Sequence, residues 1–225
     1  MKWSRLLLPV MVLGAMLFSS CEDCEHEAGV ELISSLEVGD VICADGSVLS
    51  AAQFQQSKKE PVGIVYHVNR DPDIDNLGYA VYIHEVAPEA FADSLGIDQK
   101  TSASLMKEDG NENTYAMYYS KEAQSPLARK VFDMWRYGQS AYIPSVKQLA
   151  YLYQVRQYVN ERIQTVGGTS ISLQPGDCWL WSSTEVEGQK ESKAWLFSMQ
   201  SGMIQETPKD QSHRFRPVIT LYKLK

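Results

Sequence analysis

After residue 18 the chain has no apolar run long enough to cross a bilayer as a helix. It also lacks an excess of base. Lys and Arg total 21 against 28 Asp and Glu, a formal net charge of −7. So acidic a surface is a poor partner for nucleic acid or anionic headgroups, and neither is expected as a ligand. Cysteine is scarce, four residues in all, and no Cys/His spacing resembles a zinc site. No nucleophile stands beside a base, and His26, His67, His84 and His213 have no carboxylate orienter at local spacing. Neither catalysis nor a cofactor is expected. No internal repeat of useful length occurs.

What is present begins at the N-terminus. Met1-Lys2-Trp3-Ser4-Arg5 is a positive segment, residues 6–18 are apolar, and Ser19-Ser20 precede Cys21. This is the layout of an export signal whose apolar part is short for a membrane span. It resembles a bacterial lipoprotein signal, in which Cys21 becomes the acylated first residue, although Phe18 stands where a smaller aliphatic residue is usual. The alternative is an ordinary secretory signal cut nearby. Both readings take the chain out of the cytoplasm. Removing Lys2 and Arg5 with residues 1–20 changes the net charge from −7 to −9. Membrane attachment then rests on the acyl chains of Cys21, which in bacterial lipoproteins are several. Glu22, Asp23, Glu25 and Glu27 resemble the signal that carries some lipoproteins to the outer face of the outer membrane. A solvated charge run in a tether is the plainer alternative. The expected location is the outer membrane, lipid-anchored and surface-exposed, with a periplasm-facing position as the other option.

Residues 21–36 are polar and acidic and read as a tether, and 37–225 as one domain. Cys24 lies in the tether. Cys43 and Cys178 sit in strand-like contexts, as two buried thiols or as a disulfide that spacing alone does not decide.

Gly39-Asp40-Val41-Ile42-Cys43 leads into the turn signal Asp45-Gly46. Val62, Ile64, Tyr66 and Val68 alternate, as do Tyr79, Val81 and Ile83, which makes two half-buried strands. Asn113-Thr114 predicts a helix start with the helix running through Lys121. Ser125-Pro126 predicts a second helix, with Leu127, Val131, Met134 and Trp135 on one face and Gly138 at its end. Ser145 with Gln148 forms a capping box for a third helix, its face formed by Val146, Leu149, Leu152, Tyr153, Val159 and Ile163, stopped by Gly167-Gly168. Strands return at residues 179–184, 194–198 and 202–204, and Phe215, Ile219 and Leu221 share one face of a closing strand. Strands, then helices, then strands predict an α+β fold whose terminal strands are free to pair.

Several separated motifs line up in order: Gly39-Asp40 with Asp45-Gly46; Gly63-Ile64-Val65-Tyr66; Asp109-Gly110 with Asn113-Thr114; Tyr142-Ile143-Pro144-Ser145 with Leu149; Trp181-Ser182-Ser183-Thr184; Ala194-Trp195 with Phe197; Gly202; and Arg214-Phe215-Arg216-Pro217. The set resembles the DUF1566 (Lcl C-terminal-like) family of bacterial surface lipoproteins over 37–225. The resemblance implies a C-type-lectin-like fold, shared with formylglycine-generating enzymes and the variable proteins of diversity-generating retroelements. It further implies a non-catalytic domain that binds a glycan or protein ligand in adhesion. A structural accessory of a pilus or outer-membrane complex is the second reading, and a formylglycine-generating-type enzyme a distant third, since such enzymes use two active-site cysteines.

Two departures stand out. Tyr142 replaces a Trp carried by many relatives, and the segments 186–193 and 205–213 are charged and Gln-rich, unlike the Asn/Tyr/Ser-rich ligand faces of the retroelement proteins. The motifs mostly read as structural. Trp181 fills the core while the following hydroxyls satisfy backbone groups. Trp195 and Phe197 share a face. Arg214 and Arg216 serve packing and internal ion pairs before any anion. Binding falls to the loops between the last strands, where the candidates are Glu185, Glu187, Lys190, Glu191, Lys209, Asp210 and His213. Asp71, Asp73 and Asp75 alternate as calcium ligands do, but no closing Glu follows and a turn tip explains them. No metal site is expected.

Overall fold

The alternating segment around Ile64 forms the centre of an antiparallel sheet. The computed structural model describes residues 36–132, 134–136 and 139–223. The signal at 1–20, the lipidation candidate Cys21, Cys24, the tether up to residue 35, and Gly138 lie outside the described residues. The elements are β1 (Val41–Cys43), β2 (Val48–Leu49), α1 (Ala51–Gln56), β3 (Pro61–Val68), β4 (Asn76–Tyr82), β5 (Glu89–Ala90), α2 (Gly110–Tyr119) and α3 (Pro126–Phe132). They continue with β6 (Trp135–Arg136), β7 (Gln139–Ser140), α4 (Val146–Thr165), β8 (Trp179–Glu185), β9 (Lys193–Ser198), β10 (Ile204–Pro208), β11 (Ser212–His213) and β12 (Val218–Tyr222). Five strands join in the order β12-β4-β3-β1-β2 and three in the order β10-β9-β8. Short pairs β11-β5 and β6-β7 complete the described sheets. The class is α+β with antiparallel sheets, as the element order predicts. The terminal strands share a sheet but are separated by β4 and β3, so they do not pair with each other.

Local chemistry explains most boundaries. At the N-terminus of α4 the Ser145 amide donates to Gln148 Oε1 (2.9 Å) and the Gln148 amide to Ser145 Oγ (3.3 Å), a reciprocal cap. Its far end closes with Gly167 at φ +79°. The same capping pattern, Ser50 with Gln53, starts the short α1, which the hydrophobic period does not reveal. Helix α2 starts three residues before Asn113, at Gly110. A Cβ at Gly110 would lie 2.4 Å from Gln148 Oε1 and 2.7 Å from the Ile143 carbonyl oxygen, so the close approach of two helix starts requires glycine there. Asn113 and Thr114 sit inside the helix and bond back to Asp109 Oδ1 (2.9 Å) and the Gly110 carbonyl (2.8 Å).

Helix α3 is capped as expected, with the Ala128 amide donating to Ser125 Oγ (3.1 Å). It ends at Phe132, short of the expected Gly138, because the chain turns into the β6–β7 hairpin, closed by the Ala141 amide on the Met134 carbonyl (2.9 Å). The strand expected at 202–204 instead begins at Ile204, and Gly202, at φ +74°, belongs to the turn before it.

The two faces of the five-stranded sheet carry the core. On one, Val41, Ile64, Tyr66, Tyr79, Val81 and Val218 pack with Val146, Leu149, Leu152, Val159 and Ile163 of α4. On the other, Ile42, Val65, Ala80 and Ile219 belong with Trp181, Phe91, Leu127 and Val131. Fully burying an apolar side chain of this size contributes about 1.5–3 kcal/mol. Leu36, the first described residue, is only 4% exposed and joins the second group.

Candidate functional site

The β9 residue Leu196 pairs in register with Gln205 of β10 and Trp181 of β8, and Trp179 lies two residues along β8 on the same face. Trp181 and Leu196 are buried, whereas Trp179 is half-buried and Gln205 exposed, so the core covers only part of this face. Trp179, Leu196 and Gln205 line an open cleft of about 420 Å³ together with Pro88, Gly176, Asp177 and the Ser212–Arg214 segment.

The hydrogen bonds that build the cleft follow from strand pairing. Arg214 forms a parallel bridge with Leu180, and the Trp181 amide donates to the Arg214 carbonyl (2.8 Å), which fixes the 212–214 segment against β8. Trp181 Nε1 donates to the Glu89 carbonyl (3.1 Å), and the His213 ring meets the Trp181 indole edge-on with centroids 5.3 Å apart. The guanidinium of Arg214 donates from Nη1 to Glu85 and from Nη2 to Asp177 Oδ1 (3.2 Å). The bond to Glu85 raises the Arg214 pKa, while burial lowers that of His213. At neutral pH the cleft therefore presents a neutral imidazole, an indole, an amide, a hydroxyl and an ion-paired guanidinium. That combination can stack on and hydrogen-bond to a bound group.

The sequence candidates divide sharply. His213 lines the cleft. Glu187, Glu191 and Asp210 are exposed in loops and do not line it. Lys190 is half-buried and tied to Asp98 at 3.1 Å. Glu185 and Lys209, expected to face a ligand, do not: both side chains are 0% exposed. Lys209 Nζ donates to Glu185 Oε1 (2.8 Å) and to the carbonyls of Ile97 (2.6 Å) and Lys190 (2.7 Å). Glu185 in turn accepts from the amides of Gln99 (3.1 Å) and Thr101 (3.3 Å) and from the Thr101 hydroxyl (2.9 Å). Every residue of β8 from Leu180 to Glu185 is buried, whichever face it takes, and the register shifts between Trp181 and Glu185, so the period of two does not place Glu185; Gln99 and Thr101 cover it. Sequence reasoning missed Trp179, Gln205 and Asp177. Trp179 carried a signal, since its alternation with Trp181 puts two indoles on one face.

The remaining motifs act as structure. Ser182 Oγ donates to the Trp195 carbonyl (2.8 Å), and Thr184 Oγ1 accepts from the Val146 amide (3.2 Å). Arg216 is buried and donates to the carbonyls of Tyr82 (3.2 Å) and Thr169 (2.8 Å). Cys43 and Cys178 are both buried and form no disulfide with each other. Asp71 Oδ1 accepts the Asp73 amide (3.0 Å), the bond of a turn tip. Among the described residues no group of three His, Cys, Asp or Glu side chains is placed to share a metal ion.

A second open groove, about 470 Å³, runs between Glu37–Val38, the end of β3 and α4. Its His67 ring stacks flat on Tyr151 at 4.0 Å, and the hydroxyls of Tyr151 and Tyr79 both donate to Glu108 (2.7 and 2.6 Å).

No family model matches the chain, and no curated protein matches it. Among solved structures it is similar to a fimbrial protein from Bacteroides ovatus ATCC 8483, with a TM-score of 0.63 and 17% identity. The match covers 83% of this chain and 49% of that protein, so the chain spans about half its length. The likeness is one of fold.

Proposed function

We propose that the protein is a lipoprotein, anchored in the outer membrane through Cys21 and displayed at the cell surface, whose domain binds a glycan or protein ligand without catalysis, in adhesion. The observation that carries this reading is the cleft on the β8–β10 sheet. There a half-buried indole, an amide and an imidazole converge on a rigid scaffold, as binding sites require. The ordered motifs that resemble the DUF1566 family support a C-type-lectin-like assignment for the same scaffold. Full-length protein in detergent, applied to glycan and matrix-protein arrays, tests the reading through a ligand whose binding is lost in Q205A or W179A at unchanged melting temperature. Wholesale exchange of 205–213 is unsuitable, because it removes the buried Lys209. Labelling cells with palmitate tests the anchor: Cys21→Ser should abolish incorporation.

The second reading, an accessory of a pilus or outer-membrane complex, is favoured by the fold shared with a fimbrial protein. Recovery of pilus subunits by crosslinking in cells, with blank arrays, would support it over adhesion.

A further inference from the structure

The charge balance of the cleft narrows its occupant further, an inference that rests on the cleft being the recognition site. Arg214 is held between Glu85 and Asp177, so two carboxylates and one guanidinium leave one unit of negative charge. His213 adds none near neutral pH, because burial lowers its pKa. An anionic ligand would meet a guanidinium whose charge two carboxylates already offset. A cation meets the opposite situation. The Asp177 side chain is 55% exposed and contacts Arg214 through Oδ1. Trp179, half-buried, lines the same cleft two residues along the chain, and an indole attracts cations to its face. Gln205 and Ser212 supply further acceptors, and the chain as a whole, at net −7, draws basic partners towards it.

We propose that the cleft takes a basic side chain, the guanidinium or ammonium of an arginine or lysine presented by a protein partner, held between Trp179 and Asp177. Recognition of this kind combines cation–π contact with a charge-assisted hydrogen bond.

The test is a binding titration of full-length protein in detergent, at fixed ionic strength, with three peptides of equal length built from arginine, serine or glutamate. The variants are W179A, D177N and, as a control that removes the same charge from exposed α2, E112Q. The expected result is binding of the arginine peptide alone, weakened about tenfold in W179A and D177N and within about twofold of the parent in E112Q. Equal weakening in D177N and E112Q with none in W179A would mean diffuse attraction and overturn the proposal. Absence of arginine-peptide binding would overturn it as well. A preference for the serine or glutamate peptide that W179A abolishes would overturn the cationic ligand while leaving the cleft as the recognition site. D177N alters an exposed residue, so it reports even where W179A unfolds the domain.

Discussion

Lys209 Nζ lies 2.8 Å from Glu185 Oε1 with both side chains withdrawn from solvent. Each partner is saturated by further bonds, and together they fasten 97–101 and the loop after β10 to the end of β8. Removing one partner leaves an unpaired charge in the interior. Lys209→Ala or Glu185→Ala should each cost about 3–5 kcal/mol in denaturant unfolding. The double variant Lys209→Met with Glu185→Leu should cost less than either, because both charges are gone. A loss below about 1 kcal/mol in each single variant would show that the pair does not hold the loops.

Gly78 has φ +151°, and a Cβ there would stand 2.1 Å from the His67 carbonyl oxygen. The strand partner cannot retreat without breaking the β3–β4 ladder. Gly78→Ala should destabilise by about 2–4 kcal/mol, a large effect for one methyl group. Thermal unfolding of the variant checks this, and a shift under about 2 °C would contradict it.

Burial lowers the pKa of both His67 and His213 below the ordinary 6.5, with Glu108 opposing and Lys147 adding to the shift at His67. An imidazole depressed in the folded state takes up a proton on unfolding. The stability it contributes is complete above pH 6.5 and is lost as pH falls through 6.5 towards the folded value. Unfolding free energies from pH 8 to 5 should decline below about 6.5, and His67→Gln should flatten part of that decline. An unchanged slope would remove His67 from the account.

Phe197 is buried while its face-mate Trp195 is only half-buried. Phe197→Ala should cost about 3–5 kcal/mol and Trp195→Ala distinctly less, as chemical denaturation would show. Equal losses would mean that Trp195 is packed more deeply than its exposure indicates.

Legibility followed the range of the interaction. The caps made by Ser145 with Gln148 and by Ser125 with the Ala128 amide, next to Pro126, are bonds between near neighbours, and the residue types alone name them. The alternation of β3 and β4 was equally readable, because one buried face imposes a period of two. The end of α3 was not readable: Met134 and Trp135 fit the helical spacing, but backbone bonds of a hairpin claim that stretch. The site shows the same division. Charged residues in a segment between strands suggest solvent, yet Lys209 and Glu185 find each other, and that pairing depends on a loop more than eighty residues earlier in the chain. Trp179 and Gln205 reach one cleft only because β8 and β10 flank β9 in register, which composition does not encode. His213, expected in a loop between the last strands, instead belongs to β11, whose segment the Arg214–Leu180 bridge holds against β8.

The central claim is that the cleft lined by Trp179 is where this protein meets its ligand. The most direct measurement is array binding by full-length protein beside the W179A variant, with melting temperatures recorded for both. The account predicts a ligand retained by the parent and lost in W179A, with melting temperatures within about 2 °C of each other. Binding that W179A leaves unchanged would place recognition elsewhere and contradict it.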